Sequence, residues 1–188
     1  MTDLPATSDP DSRLATARDQ APGLAEVAAL WSAEMPGLDL NPFLVAGMIM
    51  RLSQRLERVF TATARVRGVG PGELRILLAL RRSAPRYALS PTALFRGLMI
   101  TSGAVSKQVD RLAELGHVTR VADPDVLRGV LIRLQPTGRE IAEDAMGEIC
   151  SANGGLEYLA QEDARTILDA LSLVSNVLDE AELAGEQQ

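Results

Sequence analysis

Hydrophobic residues in this chain recur mainly at steps of three and four, the spacing that gathers them on one face of an α-helix. From Leu24 to about Glu34 the residues Leu24, Val27, Ala28, Leu30 and Trp31 keep that spacing, and Pro36-Gly37 ends it. Residues 36–42 read as a linker. A longer helix is predicted from Val45 to about Arg65, with Val45, Met48, Ile49, Leu52, Leu56, Val59, Phe60 and Thr63 on its inner face. On its flank Arg51, Arg55 and Arg58 form a row of three guanidinium groups that needs acids or solvent. Gly68 and Gly70 interrupt the chain, and Pro71 suits the first position of a helix with Leu74, Leu77 and Leu78 inward, stopping before Pro85. After Thr137 a helix carries Ile141, Ala145 and Ile149 up to Asn153-Gly154-Gly155. The last helix, about Gln161 to Leu183, bears Ala164, Ile167, Leu168, Leu171, Val174 and Leu178 as a long apolar stripe. Such a stripe needs a partner surface. Because the N-terminal helices carry similar stripes, the economical packing joins both ends against a second copy of the chain.

The middle of the chain has a different rhythm. Ser90 is a good N-cap and Pro91 a good first helical residue for a short helix whose inner face is Ala93, Leu94 and Leu98 and whose end is near Met99. After a short turn, Thr101 or Ser102 caps a second helix with Val105, Val109 and Leu112 inward, which is helix-turn-helix spacing. Leu115-Gly116 closes it. His117 to Val121 and Val130 to Leu134 alternate as two strands, with Val118 against Val130, Ile132 and Leu134 supplying covered faces around an Asp-Pro-Asp loop. The expected fold is mainly α with a small β wing: a winged helix-turn-helix lobe over residues 70–135, and helices at 22–66 and 136–184 that form a homodimer interface. Residues 1–21, rich in Asp, Pro, Ser and Thr, read as a mobile acidic tail.

Composition narrows the function. At 188 residues and 46% hydrophobic, the chain can bury a core of its own. Cys150 is the only cysteine, so no intrachain disulfide forms and no paired Cys/His metal spacing exists. The acidic, proline-broken start lacks the features of a secretory signal, and the longest apolar runs are too short to cross a bilayer, so a cytoplasmic protein without a membrane partner is expected. The net charge of −6 argues superficially against nucleic acid. Its distribution reverses that: residues 1–80 carry net −1, residues 140–188 net −11, and residues 81–139 net +6. A basic centre in an acidic chain is the footprint of one module that touches phosphate.

The basic centre contains the candidate contacts. The outer face of the second helix reads Ser102, Gly103, Ser106, Lys107, Asp110 and Arg111, small donors near the N-terminus followed by cations. Small side chains let a helix end approach base edges, its free N–H groups face anions, and cations neutralise phosphate or read guanine. Ser90 and Thr92 before it, Thr101 at its start, and Arg128 beside Gly129 at the wing tip complete the set expected to touch double-stranded DNA. With one histidine and one cysteine, most catalytic and metal constellations cannot be assembled, so neither an enzyme nor a cofactor is expected. His117 reads as a packed or half-exposed imidazole. Glu148 and Ile149 beside Cys150 argue against a reactive thiolate.

The run LSPTALFRGLMITSGAVSKQVDRLAELGHVTRVADPDVLRGVLIRLQPTGR, residues 89–139, resembles the MarR family of regulators, and the likeness extends from about Trp31 to Leu178. The resemblance implies an obligate homodimer on a pseudopalindromic operator, usually repressing nearby genes. It places Ser102, Gly103, Ser106, Lys107 and Arg111 on recognition-helix positions and Arg128 on the wing-tip arginine. Two positions depart from the family pattern. Val126-Leu127-Arg128 stands where an Asp-x-Arg is usual, leaving Asp125 to orient the arginine. Leu134-Gln135-Pro136 replaces Leu-Thr-Pro, which leaves Thr137 and Glu140 to form a capping box about two residues later. Trp31, the linker Leu38-Asp39-Leu40-Asn41-Pro42 and the arginine row resemble the extended N-terminus of the urate-responsive branch. That likeness implies a pocket capped by Trp31, with Arg51, Arg55 or Arg58 pairing a small anionic or aromatic effector. The other reading makes Trp31 a core residue and has acids of the C-terminal segment meet the arginines. For the lobe, the alternative to DNA is a winged-helix module that docks proteins without specific DNA binding.

Overall fold

The computed structural model describes residues 23–98, 102–151 and 154–185, so the expected acidic tail, Thr101 and Asn153 lie outside the described residues, and Ser102 is described by its backbone alone. The chain divides into two compact units, one ending at Arg55 and one beginning at Leu56. In the first, α1 (Leu24–Glu34) buries no residue of its own, and a side chain added at Gly47 would meet Leu24 at 2.8 Å. Helix α2 (Asn41–Arg65) begins in this unit and ends in the second. It starts ahead of the first apolar residue of its stripe because Asp39 Oδ1 accepts the Asn41 N–H at 3.0 Å. The Leu44 N–H then bonds the Leu40 carbonyl at 2.9 Å.

The second unit is built around α3 (Pro71–Arg82), in which Leu74, Ile76, Leu77, Ala79 and Leu80 are all buried. The expected stripe of Leu74, Leu77 and Leu78 was too narrow. Leu78 is only partly covered, while Ile76 and Leu80 are fully buried, because α3 is enclosed on several sides rather than laid on a surface. Around it lie β1 (Ala88–Leu89), α4 (Pro91–Leu98), α5 (Ser102–Glu114), β2 (Val118–Ala122), β3 (Val130–Leu134) and α6 (Pro136–Ser151). Val105, Val109, Leu112, Val118, Ile132, Leu134, Ala142 and Ala145 complete one core with α3.

The strands form an antiparallel sheet in the order β1-β3-β2, with Val118 opposite Leu134 and Ala122 opposite Val130. Strand β1, absent from the sequence reading, pairs Ala88 with Arg133 and Leu89 with Ile132. Two residues are too few to show a period. Strand β2 starts at Val118 rather than His117 because the His117 N–H is bonded to the Leu112 carbonyl at 2.9 Å. Val130, expected on a covered face, is 43% exposed where β3 leaves the wing.

Helix α6 begins at Pro136, its first bond running from the Arg139 N–H to the Gln135 carbonyl at 2.9 Å. The expected Thr137 cap therefore does not form. The Thr137 hydroxyl instead donates to the Gly116 carbonyl at 3.0 Å and lies 3.1 Å from His117 Nδ1, tying the start of α6 to the turn after α5. Gly138 faces the His117 carbonyl so closely that a Cβ there would collide with its oxygen. Beyond a 3-10 turn at Leu156–Tyr158, α7 (Gln161–Gly185) buries none of its residues and leaves Ile167, Leu168, Leu171 and Leu178 exposed. Among the described residues no helix is long and apolar enough to cross a membrane.

The end of α2 is fastened to α6 by charge. Arg67 Nε donates to Asp144 at 2.9 Å, Nη2 pairs with Glu148 at 2.8 Å, and Nη1 donates to the Thr63 carbonyl at 2.7 Å. The Thr63 hydroxyl also donates to Glu148 at 2.8 Å. That hydroxyl first, and the Arg67 guanidinium second, hold the Glu148 carboxyl below its ordinary value of 4.5.

Two outcomes follow from this packing. Gly138→Ala should destabilise the fold by about 1–3 kcal/mol, measured by denaturant unfolding, because the obstacle is a backbone carbonyl rather than a mobile side-chain end. The depressed Glu148 pKa stabilises the folded state above the unfolded-chain value and is lost as pH falls through the folded one. The stability gap between wild type and Glu148→Gln should therefore narrow below about pH 4.5, and a gap that is constant across that window would contradict the linkage.

Candidate nucleic-acid interface

Helices α4 and α5 are held in place from inside. Leu94 of α4 and Val105, Val109 and Leu112 of α5 are buried against α3, which turns the opposite side of α5 to solvent. Ser90 Oγ accepts the Ala93 N–H at 3.1 Å, so this serine is the expected N-cap and its oxygen is engaged within the protein. At the other end of α5 the His117 N–H reaches the Leu112 carbonyl and the Gly116 N–H reaches Ala113 at 3.0 Å, with Gly116 at φ +76°. This double closure needs a left-handed residue, which glycine supplies without strain.

The exposed side of α5 presents Gly103, Ser106, Lys107, Asp110, Arg111 and Glu114 along one shallow open depression. Nothing lies within 4 Å of the position a Gly103 Cβ would occupy, so backbone there is open to close approach. Lys107 has no acidic partner among the described residues. Arg111 does: its Nε pairs with Glu73 Oε1 at 3.0 Å. Asp110 is taken by Arg120 of β2 at 2.6 Å. Thr92 and Ser106 come together across the groove between α4 and α5, where they line a cavity of about 350 Å³ with Pro91, Phe95, Arg120 and Val130.

The wing is a tight loop. The Asp123 N–H bonds the Gly129 carbonyl at 2.9 Å, and the Gly129 N–H bonds Val126 at 2.8 Å. A Cβ at Gly129 would sit 2.8 Å from Asp123 Cβ, so only glycine fits. Arg128 is exposed in the left-handed region, φ 60°, a conformation unfavourable for a non-glycine residue. Asp125, expected to orient Arg128, instead pairs with Arg86 at 2.6 Å. Arg128 is left without an acidic partner among the described residues, and Leu127 beside it is 95% exposed.

The suggested effector residues are divided between the two units. Trp31, Arg51 and Arg55 lie in the first unit, and Trp31 is 47% exposed, not a core residue. Arg58 lies in the second unit, where it borders an open hollow with Glu57, Thr61, Ala62 and Arg65. All three arginines are exposed, and none has an acidic partner among the described residues. Cys150 is exposed, and the His117 ring is half-buried beside Thr137.

Sequence reasoning missed Glu73, Arg86 and Arg120, and gave Asp110 no partner and Asp125 a different one from the one it has. One local signal existed: Glu73 stands three residues after Gly70, the spacing of a carboxylate that folds back on a helix start, and its Oε2 accepts the Gly70 N–H at 2.7 Å.

Residues 67–129 match the family model of the MarR family. The lobe is similar to that family in sequence and shares its winged-helix fold. The HTH-type transcriptional regulator PecS of Dickeya dadantii (strain 3937) is 28% identical over 148 residues, 79% of this chain and 89% of PecS. Among solved structures, Sco5413, a MarR family transcriptional regulator from Streptomyces coelicolor, superposes with a TM-score of 0.65 at 23% identity, covering 76% of this chain and 98% of Sco5413. A mutant MarR from E. coli complexed with operator DNA gives a TM-score of 0.60 at 22% identity, over 77% of this chain and 97% of that one. At these identities the superpositions show a shared fold. In this lobe the wing is tied to the turn before β1 by the Arg86–Asp125 ion pair.

An exposed ion pair of this kind is worth about 0–1 kcal/mol, so its effect should be local. Arg86→Ala should speed backbone amide exchange over residues 123–129 without moving the global unfolding midpoint, as read by hydrogen-exchange mass spectrometry. Unchanged exchange would mean that the hairpin alone holds the wing.

Proposed function

We propose that this chain is a sequence-specific DNA-binding transcription regulator that acts as a homodimer on a pseudopalindromic operator, repressing until an effector binds. The observation that carries this reading is the outward face of α5, with an open Gly103, an exposed Ser106 and a Lys107 that has no acidic partner among the described residues, on a lobe whose core takes only the opposite side of the helix. In the major groove this face places small donors against base edges and cations against phosphate. Arg128 at the wing tip suits the adjacent minor groove, where the potential is most negative. Thr92, Thr101 and Ser102 belong to the same proposed contact set. Ser90 takes part through the helix it caps.

The homodimer is supported by apolar surface. In α7, Leu168, Leu171 and Leu178 are exposed at helical spacing on a helix that buries nothing, and an apolar stripe of that length is a partner surface. Residues 22–66 and 136–184 supply this dimerisation region, and residues 70–135 the DNA-binding lobe. For the effector, the unpaired row Arg51, Arg55 and Arg58, with the exposed Trp31 of the extended N-terminus, supports a small anionic or aromatic molecule of the kind the urate-responsive branch takes. Its binding changes the spacing of the two lobes, so they no longer match half-sites one helical turn apart, roughly 34–36 Å.

Fluorescence anisotropy on duplexes from the DNA flanking its own gene tests the reading. Affinity should fall log-linearly with salt, and Lys107→Ala should lower the slope by about one per lobe. Binding that is insensitive to salt and to Lys107→Ala would instead mark a protein-docking module.

A further inference from the structure

The buried carboxylate of Glu73 lies outside the proposed DNA-contact set, yet it reaches that set. The Glu73 residue is only 6% exposed. Its two oxygens serve different elements: Oε2 accepts the Gly70 N–H at 2.7 Å at the start of α3, and Oε1 pairs with Arg111 Nε at 3.0 Å on α5. The Arg111 side chain remains 61% exposed despite this pair. The acid therefore lies as an ion pair against the inner nitrogen of a guanidinium that stays largely in solvent, on the face that carries Ser106 and Lys107. The surroundings of this pair are closely packed. Gly72 packs so tightly under the Gln108 side chain of α5 that a Cβ at residue 72 would collide with the Gln108 amide. Leu74, next to Glu73, is fully buried.

We propose that Glu73 is a positioning residue for sequence discrimination: it holds Arg111 by Nε so that the terminal guanidinium edge meets the duplex in one orientation. A guanidinium reads a base or phosphate best as a pre-oriented planar fork, and fixing one nitrogen on a rigid support removes most of its rotational freedom before contact. The pair also offsets part of the Arg111 charge. Arg111 thus contributes directed hydrogen bonds more than sequence-independent attraction, while the unpaired Lys107 supplies the latter.

This inference rests on the DNA-binding reading, and its test separates the two. Affinities are measured across a salt series for the tightest-binding duplex and for a scrambled duplex of the same composition, using wild type, Glu73→Gln, Arg111→Ala and the double variant. Glu73→Gln keeps an oxygen for the Gly70 N–H and loses the charge that holds Arg111. The expected result is a loss of discrimination of roughly tenfold. Affinity for the scrambled duplex should be retained or rise, with a salt slope steeper by about one as Arg111 becomes a mobile cation. In the Arg111→Ala background Glu73→Gln should change discrimination no further. Unchanged discrimination in Glu73→Gln overturns the proposal, as does an equal loss of both affinities together with a lowered melting temperature, which would make Glu73 a stability residue. If wild type itself discriminates between no duplexes, the DNA-binding reading fails instead.

Discussion

Burial of α3 on nearly every side is the constraint from which the rest of the lobe follows. The helix touches α4, α5, α6 and β3, and its residues Leu74, Ile76, Leu77 and Leu80 have no exposed surface. Its sides are therefore committed to packing, which is possible only if the elements around it present small or apolar surfaces. Ala142 and Ala145 of α6, Val105 and Val109 of α5, and Ile132 of β3 do so. The outward face of α5 is a consequence of this arrangement. With its valines and Leu112 drawn onto α3, Ser106, Lys107 and Arg111 must point away.

Charge then refines what packing sets. The basic centre of the chain is not a uniform cationic patch, because Arg81 and Arg139 share Glu143, Arg86 takes Asp125, Arg120 takes Asp110 and Arg111 takes Glu73. Among the described residues Lys107 and Arg128 have no acidic partner, one on α5 and one on the wing. Exposed pairs of this sort add little stability, and their value lies in geometry. Asp110–Arg120 ties α5 to β2, Arg86–Asp125 ties the wing to the turn before β1, and Glu73–Arg111 ties α3 to α5. An α5 and wing tied in this way have most of their orientation set by the lobe itself.

The helix-turn-helix was legible because its signals are local. The steps among Val105, Val109 and Leu112, the Ser90 cap and the Gly116 stop each depend on residues a few positions apart, and each appears in the structure as read. The partners of the cations were not legible. Arg86 and Asp125 are 39 positions apart, and no periodicity connects them. The same limit explains Thr137, whose hydroxyl went to Gly116 on a preceding turn instead of capping its own helix. Strand β1 is recognisable only by its pairing with β3. The arginine row at 51, 55 and 58 was visible as a row, but its purpose depends on what stands opposite it, which spacing does not reveal.

The central claim is that α5 and the wing form one reading head, presented twice by a symmetric pair of chains. Selection of bound duplexes from a random DNA pool by the full-length protein tests it most directly. Enrichment of a two-fold symmetric sequence whose half-sites are about one helical turn apart, abolished by Lys107→Ala together with Arg128→Ala, is the predicted result. A pool that stays random after repeated rounds, or an enriched site without two-fold symmetry, would contradict the account.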